Sequence, residues 1–197
     1  MIEGFILVGG ASSRMGTDKA RLEMNGLEFV ERIAGALACV TERVSVVGAR
    51  EESAVWQLPV VPDVYTKWGA LGGLHAALAA CRAPWAAVVA CDLPLVTGEL
   101  FARLAARCAN FDAVVPVQPD GRPQPLCALY RVAPCLGRAE ELIASGERRP
   151  RALLRGVRTR WVEVAELADL EGAPLFFTNV NTPEDYARAR KAVTSDK

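Results

Sequence analysis

A short apolar run that breaks abruptly into glycine and cationic residues is the most constraining feature of this sequence. Residues 5–8, Phe-Ile-Leu-Val, predict a buried β-strand, and Gly9 and Gly10 follow it immediately. Glycine has no Cβ, so the backbone can turn sharply there and approach a ligand closely. Turned backbone N–H groups form an anion-binding concavity, and Arg14 and Lys19 add two full positive charges. The stretch therefore predicts a phosphate-binding loop.

Two common glycine motifs do not fit this loop. A P-loop requires Gly-Lys followed by Ser or Thr, whereas Gly16 precedes Thr17 and Asp18. The dinucleotide fingerprint G-x-G-x-x-G is not supplied by Gly-Gly-Ala at residues 9–11. A plain strand-to-helix turn with solvated cations stays open as the alternative.

The rest of the chain alternates strand and helix patterns five times, which predicts an α/β fold with a mainly parallel sheet. After residue 118 the alternation loosens, and residues 126–130 predict an antiparallel strand at one edge of the sheet. The predicted strands are residues 5–8, 44–47, 58–61, 85–91, 113–117 and 126–130, with short strands within 158–164 and at 175–178. The predicted helices are residues 28–40, 51–56, 69–80, 97–109, 134–145 and 183–192.

Composition excludes several classes of protein. Lys and Arg together number 23 and so do Asp and Glu, so the formal net charge is zero, which argues against a nucleic-acid-binding protein. No apolar run approaches the roughly 20 residues needed to span a membrane. The six cysteines include no C-x-x-C pair and there is one histidine, so a zinc site has little support. Cysteines scattered through Ala-rich segments predict small buried apolar side chains in a reducing compartment, and therefore a cytoplasmic protein.

Further candidate site residues follow other predicted strands. Ligands of open α/β sheets bind beyond the carboxyl ends of the strands. Asp63 follows the third strand, a glycine-rich turn occupies residues 69–73, and Asp92 directly follows the most apolar strand. A carboxylate there is costly unless it is paired or binds a metal, and Mg²⁺ is commonly held by one carboxylate plus substrate oxygens. Asp92 could instead be a cap or an ion-pair partner, and Asp63 a simple turn residue.

Six segments in this order resemble the molybdenum cofactor guanylyltransferases, a family of nucleotidyltransferases with a Rossmann-like fold. They are the loop at residues 7–20, Pro-Asp at 62–63, Gly-Ala-Leu-Gly-Gly at 69–73, Cys-Asp-Leu-Pro at 91–94, Gly-Glu-Arg-Arg at 146–149, and Phe-Thr-Asn-Val-Asn-Thr-Pro-Glu-Asp at 177–185. Together they span nearly the whole chain, which distinguishes the resemblance from a chance match to one glycine loop.

The resemblance implies an enzyme that transfers GMP from GTP to the terminal phosphate of molybdopterin, with release of pyrophosphate and a requirement for Mg²⁺. It implies a single α/β nucleotidyltransferase domain over residues 1–197, with a nucleotide-binding half at 1–117, a molybdopterin-binding half at 118–192 and a frayed tail at 193–197. We expect a monomer that binds neither nucleic acid nor membrane. Transient contact with other molybdenum cofactor biosynthesis proteins and with target molybdoenzymes is also expected.

The resemblance also implies roles for individual residues. Arg14, Lys19 and Asp92 are expected to be catalytic, with Asp92 binding Mg²⁺. The expected nucleotide-binding residues are Leu7, Val8, Gly9, Gly10, Arg14, Lys19, Asp63, Gly72, Gly73 and Asp92. The expected molybdopterin-binding residues are Arg149, Asn179 and Asn181, although each could instead be a solvated or loop-stabilising residue.

Two alternative functions stay open at this point. One is a nucleotidyltransferase that uses CTP or a sugar phosphate, and the other is a nucleotide-binding regulator without activity. Related cytidylyltransferases carry Leu-Ala-Ala-Gly where this chain has Leu-Val-Gly-Gly at residues 7–10, so Gly9 favours guanine. The chain departs from the family in one place: family members often have an Asn after the second strand, whereas residues 47–50 here read Val-Gly-Ala-Arg.

Overall fold

The structure is a computed structural model that describes residues 1–8, 19–48 and 56–195, with only the backbone described for residue 19 and residues 193–195. Its strands are β1 (Ile2–Leu7), β2 (Glu23–Met24), β3 (Leu27–Glu28), β4 (Val44–Val47), β5 (Val60–Val61), β6 (Trp85–Ala90), β7 (Ala113–Pro116), β8 (Cys127–Arg131) and β9 (Thr159–Val162). Its α-helices are α1 (Phe29–Ala38), α2 (Gly69–Ala80), α3 (Gly98–Ala105), α4 (Val132–Ala144), α5 (Arg151–Leu154) and α6 (Pro183–Ser195).

In the described part of the chain, seven strands form one mixed sheet in the order β5-β4-β1-β6-β8-β7-β9. All neighbouring strands are parallel except β8, which runs antiparallel to both β6 and β7. The predicted α/β class with a mostly parallel sheet and a small antiparallel part is therefore confirmed. β2 and β3 form a separate antiparallel pair.

The position of β8 differs from the sequence-based prediction. The strand at residues 126–130 was expected at an edge, but β8 lies between β6 and β7, and β5 and β9 form the edges. Residues 127–130 are all fully buried, as expected for a strand covered on both faces. Because β6 and β8 pair over residues 85–89 and 127–131, the chain returns into the middle of the sheet rather than adding to its side.

Helices cover both faces of the sheet. On one face, α1 and α3 contribute Ile33, Leu37 and Phe101 to a core that includes Ile6. On the other face, α2, α4 and α5 pack on a core that includes Leu7. Successive residues of a strand point to opposite faces, so the alternation along β1 directs Leu7 toward α2.

Several helix boundaries follow from capping. The Thr97 side chain accepts a hydrogen bond from Leu100 N at 3.3 Å and begins α3. At the start of α1, Glu28 and Glu31 form a reciprocal capping box. α3 ends at Ala105, four residues before the predicted end at 109, while α6 continues to Ser195, beyond the predicted end at 192.

The strand predicted at residues 175–178 is wrong. Residues Ala173–Leu175 form a 3₁₀ helix that begins after Gly172, whose φ is +75°. Leu175 N donates to Gly172 O at 2.8 Å, and Thr178 N donates to Leu175 O at 3.0 Å. These local bonds use the backbone groups that a sheet ladder would need. The short helix predicted at 51–56 lies outside the described residues except for Trp56.

None of the helices in the described ranges combines the length and the apolar character needed to cross a membrane. The six cysteines all lie in those ranges and all are free thiols. Burial was predicted for these cysteines and is found at Cys127 and Cys135, whereas Cys39 is exposed and the other three are partly buried.

Candidate functional site

The carboxyl ends of four parallel strands meet at one edge of the sheet, which we call the carboxyl edge (the ends of β1, β4, β5 and β6). Cys91 N, just after β6, donates to Leu7 O at 3.0 Å. Val8 N donates to Val47 O at 3.0 Å, and Gly48 N donates to Val61 O at 3.1 Å. The residues that follow these strands therefore leave the sheet side by side, as expected for ligand sites of this fold class.

Asp92 lies at this edge and contacts a segment from the far end of the sequence. Val180 N donates to Asp92 O at 2.9 Å, and the Val180 side chain is fully buried in a cluster with Leu95. The exposed residues Asn179 and Asn181 flank this anchored valine. The fold therefore brings Leu7, Asp92 and the Asn-Val-Asn segment to the same edge, although they are far apart in sequence.

The backbone of Asn181 is held by the start of α6. The Asp185 carboxylate accepts hydrogen bonds from Asn181 N at 3.1 Å and Thr182 N at 3.0 Å. These donors, with Asn181 first, hold the pKa of Asp185 below its ordinary value. Asp185 N in turn donates to Thr182 Oγ1 at 3.1 Å. The Asn-Val-Asn segment is thus fixed from both sides, by Asp92 and by the helix cap.

The chemistry of Asp92 fits a Mg²⁺ ion held jointly with a substrate. Among the described residues, no group of three or more His, Cys, Asp or Glu side chains could hold a metal ion. A dedicated protein cage is therefore absent from that part of the chain. Mg²⁺ usually binds through one or two carboxylates with substrate phosphates and water, and a partly buried Asp92 at a strand end suits that arrangement.

The N-terminus of α2 also lies at the carboxyl edge, because α2 connects the end of β5 with the start of β6. Its first turn contains no acidic residue, and no side chain within the described residues caps it. The positive end of the helix dipole therefore adds to the attraction of this edge for phosphate groups.

The two glycines predicted to contact nucleotide have different surroundings. A Cβ on Gly73 would lie 3.5 Å from Leu7 Cδ1, so Gly73 faces the end of β1 at an ordinary contact distance. A Cβ on Gly72 would lie 2.8 Å from Trp68 Cβ and 3.1 Å from Tyr65 O. The space next to Gly72 is therefore occupied by the chain itself, which gives this residue a packing role at the start of α2.

Asp63 follows β5 by two residues and is exposed at the same edge. Partial desolvation by surrounding protein raises the pKa of its carboxyl group above the ordinary value. Carboxyl groups whose charged form is disfavoured are common at functional sites, which keeps Asp63 among the candidate site residues.

Arg149 belongs to the turn after α4, which reaches the N-terminus of α2. Trp68 Nε1 donates to Glu147 O at 3.1 Å. The Arg149 guanidinium pairs with the Glu147 carboxylate, at 2.8 Å from Nη2 to Oε2. This bond from Arg149 lowers the pKa of Glu147 to about 2. Sequence reasoning assigned no role to Glu147, although its position two residues before Arg149 in a glycine turn could have indicated a local ion pair.

Several predicted site residues lie outside the described residues. They include Gly9, Gly10 and Arg14, together with residues 49–50, where the family often has an Asn. Lys19 begins a 3₁₀ helix, Lys19–Arg21, and Ala20 is fully buried in the core on the α1 side. The glycine loop is therefore bounded by Val8 at the carboxyl edge and by Ala20 in the core.

Comparison with known proteins identifies the family. A family model described as the MobA-like NTP transferase domain matches residues 4–164. A Pelotomaculum thermopropionicum protein named as a molybdenum cofactor guanylyltransferase is 36% identical over 188 residues, which are 95% of this chain and 91% of that protein. The chain belongs to the molybdenum cofactor guanylyltransferase family. The resemblance stated from the sequence is thereby confirmed.

Further relatives agree with this assignment. A Bacillus thuringiensis protein named as a molybdenum cofactor guanylyltransferase is 33% identical, over 98% of each chain. The crystal structure of molybdopterin-guanine dinucleotide biosynthesis protein A from Archaeoglobus fulgidus superposes with a TM-score of 0.81 at 25% identity, over 98% of this chain and 99% of that one. This guanylyltransferase family member is a nucleotidyltransferase enzyme of molybdenum cofactor biosynthesis, and membership indicates a requirement for a divalent metal.

Proposed function

We propose that this enzyme transfers GMP from GTP to the terminal phosphate of molybdopterin, releasing pyrophosphate and forming the guanine dinucleotide cofactor. The observation that carries the proposal is the pair of backbone bonds that join Leu7 to Cys91 and Asp92 to Val180. They bring the nucleotide-side residues and the Asn-Val-Asn segment to one edge. Within a single domain, residues 1–117 would bind the nucleotide and residues 118–192 the molybdopterin, with residues 193–197 as a tail.

The reaction is an in-line displacement at phosphorus. A terminal phosphate oxygen of molybdopterin forms a bond to the α-phosphorus of GTP, and the bond from that phosphorus to the bridging oxygen of the β-phosphate breaks. The electron pair leaves with pyrophosphate. Little covalent chemistry is required of the protein, so its contribution is to orient the two phosphates and to neutralise their charge.

The proposed roles divide between the loop and the strand ends. The amides of Gly9 and Gly10 and the cations of Arg14 and Lys19 would hold the triphosphate and stabilise departing pyrophosphate. Asp92 would hold Mg²⁺, which when bound neutralises charge that develops on the phosphate oxygens. On the acceptor side, the proposed molybdopterin-binding residues are Arg149, Asn179 and Asn181.

The guanine and ribose would lie against Leu7, Val8 and the glycines, with Asp63 contacting the nucleotide. Gly73 has no side chain, so the space beside Leu7 would be open to a planar base. A Cβ on residue 73 would lie 3.5 Å from Leu7 Cδ1 and would narrow that space. Gly72 would act indirectly, by allowing Trp68 to pack at the start of α2.

The function is tested by two measurements on the full chain. Thermal-shift titrations with GTP, CTP, UTP and ATP in the presence of Mg²⁺ should show the largest shift with GTP. Pyrophosphate should then be released only when molybdopterin is also present. A preference for CTP would favour a cytidylyltransferase, and GTP binding without turnover would favour a regulator.

Lys19→Ala should weaken GTP binding by about 1.5–3 kcal/mol, because a charge-assisted hydrogen bond to the triphosphate is lost. Isothermal titration with GTP and Mg²⁺ measures this effect. Arg82→Ala is the matched control, since it removes an exposed cation between the end of α2 and the start of β6, at the opposite edge of the sheet. Equal GTP affinities for the two variants would contradict the role of Lys19.

Asp63→Asn should weaken GTP binding roughly tenfold, as expected for the loss of a charged hydrogen-bond partner. The same change should not lower the melting temperature at pH 7. The folded-state pKa of Asp63 is raised, so its contribution favours the fold at low pH and is lost as pH rises through that pKa. Removal of the charge should therefore leave stability equal or slightly higher. A lower melting temperature with unchanged GTP affinity would assign Asp63 a purely structural role.

The compartment and the oligomeric state of the enzyme are also proposed. Free thiols at all six cysteines suit a reducing compartment, so we place the enzyme in the cytoplasm. We also expect it to act as a monomer that contacts other cofactor biosynthesis proteins and target molybdoenzymes transiently. Sedimentation equilibrium of the isolated protein tests the monomer, and a stable dimer would contradict it.

A further inference from the structure

The turn after α4, which we call the acceptor turn (residues 146–149), has a backbone that is hydrogen-bonded to the end of the helix. Gly146 has a φ of +84°, which ends α4 in the left-handed conformation that glycine adopts easily. Gly146 N donates to Ile143 O at 3.0 Å, and Glu147 N donates to Leu142 O at 2.9 Å. The position of Glu147 is therefore determined by the helix end.

Trp68 fastens the acceptor turn to the start of α2. Its indole Nε1 donates to Glu147 O at 3.1 Å, and the Arg148 guanidinium lies over its ring at 4.9 Å from the centroid. Trp68 Cβ also lies directly against Gly72. Because the next residue, Gly73, faces Leu7, the acceptor turn has a defined position relative to the carboxyl edge.

The Glu147 carboxylate is surrounded by donors from the acceptor turn itself. Its Oε1 accepts from Arg148 N at 2.9 Å, Arg149 N at 3.0 Å and Arg149 Nε at 2.9 Å. Its Oε2 accepts from Arg149 Nη2 at 2.8 Å. Charge-assisted bidentate bonds of this kind fix the orientation of a guanidinium as well as its position.

Glu147 engages only one edge of the Arg149 guanidinium. The group has five N–H donors, and this pairing uses the one on Nε and one on Nη2. Within the described residues, the Arg149 side chain has no other hydrogen-bond acceptor. Its side chain is 82% exposed whereas that of Glu147 is 21% exposed. As far as the described part of the chain is concerned, the edge formed by Nη1 and the second N–H of Nη2 can therefore receive a planar pair of oxygen acceptors.

We propose that Glu147 is a positioning residue for the acceptor substrate, holding Arg149 by one edge so that the other edge receives two phosphate oxygens of molybdopterin. This inference rests on the proposed function, since it takes Arg149 to be a molybdopterin-binding residue. An exposed ion pair contributes little to stability by itself. Its effect here is that a long side chain is already ordered before the substrate arrives, which lowers the entropic cost of binding.

Four variants test the inference in assays that vary one substrate at a time: Glu147→Gln, Glu147→Ala, Arg149→Ala, and the double variant Glu147→Ala with Arg149→Ala. We expect kcat/KM for molybdopterin to fall roughly tenfold in Glu147→Ala and on the order of 10–100-fold in Arg149→Ala. The KM for GTP should stay within about twofold of the parent value, because the acceptor turn acts on the other substrate. Glu147→Gln keeps the shape and the acceptor for the backbone N–H groups, and is expected to show a loss even where Glu147→Ala folds poorly.

The double variant distinguishes positioning from a general structural role. If Glu147 acts through Arg149, the double variant should be no worse than Arg149→Ala alone, since the two residues form one unit. Losses that multiply would mean that Glu147 supports the fold independently of Arg149, and would overturn the inference. Unchanged kcat/KM in both Glu147 variants would overturn it too.

Glu141→Gln is the matched control. Glu141 also forms an exposed pair with an arginine, at 2.7 Å from Arg138 Nη1, but on the body of α4. Glu141→Gln should leave kcat/KM for molybdopterin and KM for GTP unchanged. A loss of kcat/KM equal to that of Glu147→Gln would overturn a specific role for Glu147.

If Arg149→Ala has full activity, the inference fails while guanylyl transfer stands. If the parent protein performs no guanylyl transfer with GTP and molybdopterin, the proposed function fails and the inference fails with it.

Discussion

Asp92→Asn should lower kcat for guanylyl transfer on the order of 100-fold or more while leaving the protein folded. The carboxylate is proposed to hold Mg²⁺, and a metal that neutralises phosphate charge contributes several kcal/mol to transition-state stabilisation. Asparagine keeps the backbone carbonyl that accepts from Val180 N at 2.9 Å, so the anchoring of the Asn-Val-Asn segment is retained. Turnover measured over a Mg²⁺ titration, with circular dichroism as the folding check, gives the result.

Two comparisons make this test specific. Glu42→Gln removes an exposed carboxylate just before β4, at the opposite edge of the sheet, and should have full activity. Removal of divalent ions from the parent protein by EDTA should reproduce the Asp92→Asn loss, and added Mg²⁺ should restore only the parent. Normal Mg²⁺-dependent turnover in Asp92→Asn would refute the assignment of this carboxylate to the metal.

Gly72→Ala should destabilise the protein by about 1–3 kcal/mol, the usual cost of inserting a methyl group into a filled space. The new Cβ would lie 2.8 Å from Trp68 Cβ and 3.1 Å from Tyr65 O, so residues 65–68 would have to move. Because Trp68 bonds to the acceptor turn, kcat/KM for molybdopterin should fall as well. Urea denaturation and substrate kinetics measure the two effects.

Gly73→Ala is the neighbouring control in the same helix. Its Cβ would meet Leu7 only at 3.5 Å, an ordinary contact, and alanine is favoured over glycine inside a helix by roughly 0.5–1 kcal/mol. Stability should therefore be unchanged or higher, while GTP affinity should fall because the space beside Leu7 narrows. Equal stability losses in Gly72→Ala and Gly73→Ala would show that the contact with Trp68 is not the cause.

The spacing of apolar and turn residues predicted helices and strands best where the residues of the element alone decide its bounds. The helix at 69–80 and the strand at 44–47 have the bounds predicted from spacing and turn residues. The edge position of β8 and the strand at 175–178 were wrong, because both depended on partners far along the chain. A buried apolar run indicates that a strand is covered, but it does not identify the neighbouring strands.

In the candidate site too, the sequence indicated individual residues but not the contacts between distant parts of the chain. Residue types and their positions after strands indicated Asp63, Asp92 and the glycine loop, since the carboxyl ends of parallel strands share an edge. The neighbours of Gly72 could not be predicted, because Trp68 occupies that space through the path of the chain before α2. The hydrogen bonds from the Arg149 guanidinium to the Glu147 carboxylate likewise depend on the backbone conformation of the acceptor turn.

The sequence by itself determined the family and the α/β class and indicated which residues to propose for the site, because these follow from residue type, spacing and order along the chain. Only the tertiary structure decided that Val180 bonds to Asp92, that β8 enters the middle of the sheet, and that Trp68 joins α2 to the acceptor turn. The physical reason is that such pairings between distant residues are selected by the free energy of packing the whole core, which no local pattern contains.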